Sequence, residues 1–189
     1  MHFKTMVFNL LSATVFAATA FGVNASAAEK FELTGNLKPG QSIPADYYAN
    51  VFGCSAKNMS PALEWKNVPE GTRSFAVTVY DESAPTGSGF WHYVLIDIPA
   101  NVHKIDLGDL SQAKIPQGSV EMMTDAGKPG YFGPCPPIGR KHTYLFTVYA
   151  LKVEKLGVPI SSTPGFVGFN LWANSLGKAS FKVTAGPRK

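Results

Sequence analysis

Three apolar runs constrain this chain more than any other feature: Ser74–Tyr80 (SFAVTVY), Trp91–Ile98 (WHYVLIDI) and Tyr144–Leu151 (YLFTVYAL). All are too short to span a membrane, are rich in β-branched and aromatic side chains, and are bounded by turn residues. The last two are almost continuously apolar, the pattern of strands covered on both faces. Strands of that kind need a layer above and a layer below, which predicts a mainly β domain with its sheet inside. Phe31–Thr34 and the alternating Ala179–Thr184 (ASFKVT) add two shorter strands. One helix is predicted from about Pro164 to Ser175, with Ser162 or Thr163 as N-cap and Pro164 in the first turn. Val167, Leu171 and either Asn174 or Leu176 fall near one face of it. With 18 glycines and 14 prolines among 189 residues, a turn-rich β domain is favoured over a helical bundle. The length suits one domain.

The first residues read as a secretory leader. Lys4 supplies the positive charge, Met6–Val23 the apolar stretch, and Ala25-Ser26-Ala27 an A-x-A cleavage site. Residues 1–27 are therefore expected to be removed, leaving a single domain over 28–189 with no stable membrane insertion, in the periplasm or outside the cell. Cys54 and Cys135 are the only cysteines and both survive the cut, so an oxidising compartment favours a disulfide between them. The formal net charge of +4 is spread along the chain, and no Lys/Arg run suggests a nucleic-acid partner.

Two loops carry unusual residues directly against buried strands. The first is Asp81-Glu82-Ser83-Ala84-Pro85-Thr86-Gly87-Ser88-Gly89-Phe90-Trp91-His92-Tyr93. The second runs from Gly130 through Cys135-Pro136-Pro137-Ile138-Gly139-Arg140-Lys141-His142-Thr143-Tyr144. Each ends in a histidine at the start of an apolar strand, where an imidazole must be hydrogen-bonded or line a cavity. By contrast His103 sits in a polar stretch and is expected at the surface, while Trp65, Trp91 and Trp172 are expected in the core or a pocket wall.

These loops resemble the two signature regions of the phosphatidylethanolamine-binding protein (PEBP) family, in its bacterial YbhB/YbcL (Raf-kinase-inhibitor-like) branch. There the first region reads D-P-D-A-P-T-G-S-G-x-W-H-W and the second G-x-x-P-P-x-G-x-x-H-x-Y. Asn58-Met59-Ser60-Pro61-Ala62-Leu63-Glu64-Trp65 is similar to the family's N-x-S-P-x-L-x-W, and Val167-Gly168-Phe169-Asn170 to the branch's late helix. The resemblance implies a β-sandwich core with one or two short helices and a shallow pocket that binds phosphate-like or carboxylate anions, or phospho-head groups. It assigns that pocket to Asp81, His92, His142 and Tyr144, with Pro136 and Gly139 shaping the second loop and Pro85 the first. Asp125 matches an acidic position of the branch and is a further candidate. Glu82-Ser83 stands where the family has Pro-Asp, so a second carboxylate is missing and any preference for a cationic ethanolamine group should weaken.

The residues themselves agree with an anion pocket: two imidazoles and a phenol can donate to one oxyanion, and Asp81 can hold an imidazole in one tautomer. Two other chemistries use the same side chains. Ser83 with a histidine and Asp81 contains the residue types of a hydrolase, but no G-x-S-x-G elbow is present. Asp81, His92 and His142 form a two-His-one-carboxylate set, yet without short histidine spacing or further acidic ligands no metal is expected. No cofactor is expected either. The resulting expectation is a non-catalytic binding protein for a small anion. A protein partner, such as an exported protease that it would inhibit, is the other role the resemblance implies.

Overall fold

The computed structural model describes residues 1–2 and 29–189, so the expected leader beyond its first two residues lies outside the described residues. Two antiparallel sheets form the domain. The smaller is β1 (Glu32–Gly35), β2 (Leu63–Lys66) and β5 (Lys104–Ile105), in the order β1-β2-β5. The larger contains β3 (Ser74–Asp81), β4 (Phe90–Pro99), β6 (Val120–Glu121), β7 (His142–Leu151) and β8 (Ser175–Ala185), in the order β6-β4-β3-β7-β8. One α-helix, α1 (Pro164–Asn174), precedes β8 directly. Two single 3-10 turns lie in the connections.

The apolar runs are the three central strands of the larger sheet, and their two faces feed two cores. Phe75, Val77 and Val79 of β3, with Phe146 and Val148 of β7, pack against Leu33, Leu63 and Trp65 of the smaller sheet. The opposite face carries Ala76, Val94, Ile96 and Leu151, covered by Val167 and Leu171 of α1 and by Met122 and Leu156. Continuous hydrophobicity is what burial on both faces requires.

Helix α1 starts where its sequence indicates: the Thr163 side chain accepts a hydrogen bond from the Phe166 N–H, and Pro164 opens the first turn. It ends at Asn174, and Leu176 belongs to β8 rather than to the helix. The tryptophans divide. Trp65 is buried and Trp91 packs against the second core, but Trp172 is exposed, lying beside Phe169 on the outer face of α1. That corrects its expected place in the core or a pocket wall. Pro164, Val167 and Leu171 occupy the inward stripe of the helix, and Trp172 falls outside it.

The Cys54–Cys135 disulfide is formed, with a Cα–Cα distance of 6.0 Å and a sequence separation of 81. His103 is at the surface, its Nε2 donating to the Ala100 carbonyl at 3.1 Å.

Candidate anion-binding site

The site lies where β3 ends between its two neighbours. Asp81 pairs with Tyr144 of β7 on one side and with Phe90 of β4 on the other. Alternation along β3 and β7 points Asp81, His142 and Tyr144 to the face that carries Val79 and Phe146. His92 reaches that face by a different route. Val79 pairs with Tyr93 but Tyr80 pairs with Trp91, so His92 is the extra residue of a β-bulge. Simple alternation would have set it beside Val94 on the opposite face. The bulge turns it so that its ring meets Tyr144 edge-on, with centroids 5.2 Å apart.

These four side chains share a cavity of about 180 Å³ with Phe52, Ala84, Pro85, Thr86, Phe90, Cys135 and Pro137. Its floor is polar and its mouth apolar. Asp81 is the hub of the floor: Oδ1 accepts the Ser83 N–H at 2.8 Å, and Oδ2 accepts Nδ1–H of His142 at 2.7 Å. His92 donates Nδ1–H to the Phe132 carbonyl at 3.0 Å. The Tyr144 hydroxyl is buried and without a hydrogen-bond partner among the described residues. Burial, and then the charge and hydrogen-bonding pull of the nearby Asp81 carboxylate, hold that phenol protonated far above its ordinary range.

The hydrogen-bond assignment alters the donor set expected from the residue types alone. Each imidazole spends its Nδ1–H on the protein, so each ring, when neutral, keeps a bare Nε2 rather than an N–H for a ligand. Burial lowers the pKa of His92, against the opposing pull of the Phe132 carbonyl and the Asp81 charge, so this ring is neutral at pH 7.

A histidine with a depressed folded-state pKa binds fewer protons folded than unfolded, which makes stability fall with acidification. His92 therefore stabilises the fold fully above its unfolded value of about 6.5 and loses that contribution as pH falls toward its folded value. The slope is at most about 1.4 kcal/mol per pH unit for one proton. Urea midpoints measured at pH 7.5 and 5.5 should drop more for the wild-type protein than for His92→Gln, which cannot titrate.

The remaining sequence-assigned residues act around the cavity or beside it. Pro85 lines it. Pro136 is buried behind the wall, where its carbonyl accepts Nε–H of Arg188 at 2.5 Å, and Pro137 supplies the lining surface instead. Gly139 turns the loop at φ +73° and donates its N–H to the Arg188 carbonyl at 2.9 Å. Neither Pro136 nor Gly139 touches the cavity. Ser83 lies outside the wall, and its Oγ accepts the Thr143 N–H at 3.0 Å. It lines an adjoining cavity that His142 also reaches, but its Oγ is engaged by the Thr143 N–H, an arrangement that does not favour the hydrolase alternative. Asp125 also lies outside the cavity, accepting the Trp91 N–H at 2.8 Å and so fixing the strand entry that carries His92. Glu82 points away and pairs with Lys182 at 2.7 Å, as a neighbour of Asp81 on a strand end must. It does not replace the missing carboxylate. Among the described residues, no cluster of His, Cys, Asp and Glu is arranged to hold a metal ion.

Three contributors escaped the sequence reading. Phe52, in the left-handed region at φ +57°, forms part of the mouth, and its carbonyl meets Cys135 Sγ at 3.3 Å. Asn58 clamps the second loop, accepting the Gly133 N–H at 2.7 Å and donating to the Tyr131 carbonyl at 3.2 Å. Arg188 ties the C-terminal segment to Pro136 and also donates to the Gly53 carbonyl at 3.1 Å. Only Asn58 had a signal, as the first residue of the Asn58-Met59-Ser60-Pro61 motif.

Two packed antiparallel sheets, one covering helix and a small cavity of histidines, a carboxylate and a phenol at a strand end define a compact β-sandwich binding domain. The family model described as "Phosphatidylethanolamine-binding protein" matches residues 34–186, and the chain belongs to that family. Within it, the chain is 44% identical over 174 residues to the YbcL protein of Escherichia coli, covering 90% of this chain and 93% of the relative. It is 42% identical over 149 residues to YbhB of the same organism, covering 78% and 94%. The crystal structure of E. coli YbcL superposes with a TM-score of 0.79 at 42% identity, over 83% of this chain and 98% of that one. A homologue from Chlamydia trachomatis gives 0.69 at 26% identity, over 82% and 95%.

Proposed function

We propose that this is an exported, non-catalytic binding protein whose cavity takes a small anion: a phosphate, a carboxylate or a phospho-head group. The observation that carries the reading is the Tyr144 hydroxyl, a buried donor with no protein partner at a cavity shared with two imidazoles. An unpaired buried hydroxyl costs about 1–3 kcal/mol, and a bound oxyanion removes that cost. Arg140 and Lys141 line a second cavity that shares Pro85, Pro137 and His142 with the first, so positive charge stands at the approach. Export is supported by the disulfide and by similarity to proteins of Mycobacterium tuberculosis named as lipoproteins, 34% identical over 113 residues. The periplasm is the compartment that fits a disulfide in relatives of the E. coli proteins.

The test is calorimetric titration with inorganic phosphate, acetate and phosphoethanolamine. Saturable binding of phosphate is expected. Phosphoethanolamine should bind no more tightly than phosphate, because the carboxylate that would receive its ammonium group is absent. A clear preference for phosphoethanolamine would overturn that part of the reading, and heat-silent titrations with all three would overturn the whole.

A further inference from the structure

We infer that the cavity selects oxyanions that carry a proton, hydrogen phosphate or the monoanion of a phosphate monoester, and discriminates against bare oxyanions such as sulfate. The inference rests on the anion pocket proposed above and names the ligand class of that pocket.

Hydrogen-bond inventory carries it. The Phe132 carbonyl can only accept, so the His92 nitrogen 3.0 Å from it is the protonated one. The Asp81 carboxylate accepts Nδ1–H of His142 in the same way, and its other oxygen is occupied by the Ser83 N–H. Each ring, when neutral, therefore turns a lone pair, at Nε2, to whatever enters. Asp81 adds negative charge. Tyr144 is the one side chain of the four with a hydrogen to give. A floor of two acceptors and one donor is a poor match for sulfate, whose oxygens only accept. It suits a P–OH group, which donates to an Nε2 while a neighbouring oxygen accepts from Tyr144. A site built around such acceptors rejects the isostere that lacks the hydrogen, because its own polar groups then stay unpaired.

Asp81 of β3 and Asp125 beyond β6 both favour protonation of His92. Tyr144 of β7 stays neutral, and Arg140 and Lys141 line the adjoining cavity with His142. Acidification through the lowered range in which buried His92 takes up a proton turns its Nε2 into a donor. Discrimination is then lost, because a bare oxyanion finds the hydrogens it needs.

Dissociation constants for inorganic phosphate and for sulfate, measured on the wild-type protein at about pH 8 and about pH 5, decide the matter. Phosphate keeps at least one P–OH over this range and sulfate has none. Phosphate should bind about tenfold or more tightly than sulfate at the higher pH, the size of one unpaired acceptor. That gap should shrink at the lower pH, mainly through tighter sulfate binding. Asp81→Asn gives a second readout. With Oδ1 still on the Ser83 N–H, its amide NH₂ faces His142 Nδ1, which must become the acceptor and leave the hydrogen on Nε2. Sulfate affinity at pH 8 should then rise in the variant. Equal affinities for the two anions at pH 8 would overturn the inference while leaving an anion pocket in place. Failure of both anions to bind at either pH would overturn the pocket reading and the inference together.

Discussion

Asp81→Ala should destabilise the protein by about 2–6 kcal/mol, the cost of leaving two buried donors without an acceptor at about 1–3 kcal/mol each. The carboxylate is 3% exposed and serves two donors at once, Nδ1–H of His142 at 2.7 Å and the Ser83 N–H at 2.8 Å. Alanine leaves both donors without an acceptor beneath an apolar mouth where water is a poor substitute. Asp81→Asn keeps the volume and the Ser83 bond, and should cost only about 1–2 kcal/mol. Urea denaturation of the three proteins checks this, and equal losses for Ala and Asn would show that shape rather than hydrogen bonding is what matters at this position.

Removing the disulfide should cost about 4 kcal/mol, the loop-closure value for residues 81 apart. For a domain of this size that corresponds to a fall of roughly 10 °C in Tm. The consequence reaches the site, because Cys135 and Phe52 both line the cavity and Arg188 holds Gly53 and Pro136 in the same corner. Cys54→Ser combined with Cys135→Ser should thus weaken phosphate binding as well as lower Tm. Thermal unfolding of the double variant and of the reduced wild-type protein should agree. A double variant with unchanged Tm and affinity would mean that loop packing, not the crosslink, holds the corner.

Much of the fold could be read from the sequence because long strands declare themselves. Ser74–Tyr80, Trp91–Ile98 and Tyr144–Leu151 became β3, β4 and β7 within two residues at each end. The short strands β2, β5 and β6 span four, two and two residues, too few for any periodicity to register. Their existence depends on partners distant in sequence, such as Leu33 opposite Trp65. Strand β8 begins four residues before Ala179, because Ser175 pairs with Leu151 as soon as α1 ends and no loop marks the change.

The site was legible by residue type and illegible by geometry. Asp81, His92, His142 and Tyr144 do converge on one cavity. Nothing in WHYVLIDI signals that His92 sits on a bulge, and strict alternation would have turned it away from the other three. Which ring nitrogen faces the cavity depends on Phe132, 40 residues away in sequence, and on Asp81, 61 away from His142. The charge pattern of the pocket is therefore a property of the fold rather than of either signature loop.

The central claim, that these histidines form an anion site, is tested most directly by following the imidazole NMR signals of His92, His103 and His142 while phosphate is added. Saturable shifts at His92 and His142 with one common dissociation constant, and none at the surface-exposed His103, are the result this account predicts. Signals at His92 and His142 that stay fixed, or that drift in parallel with His103, would contradict it.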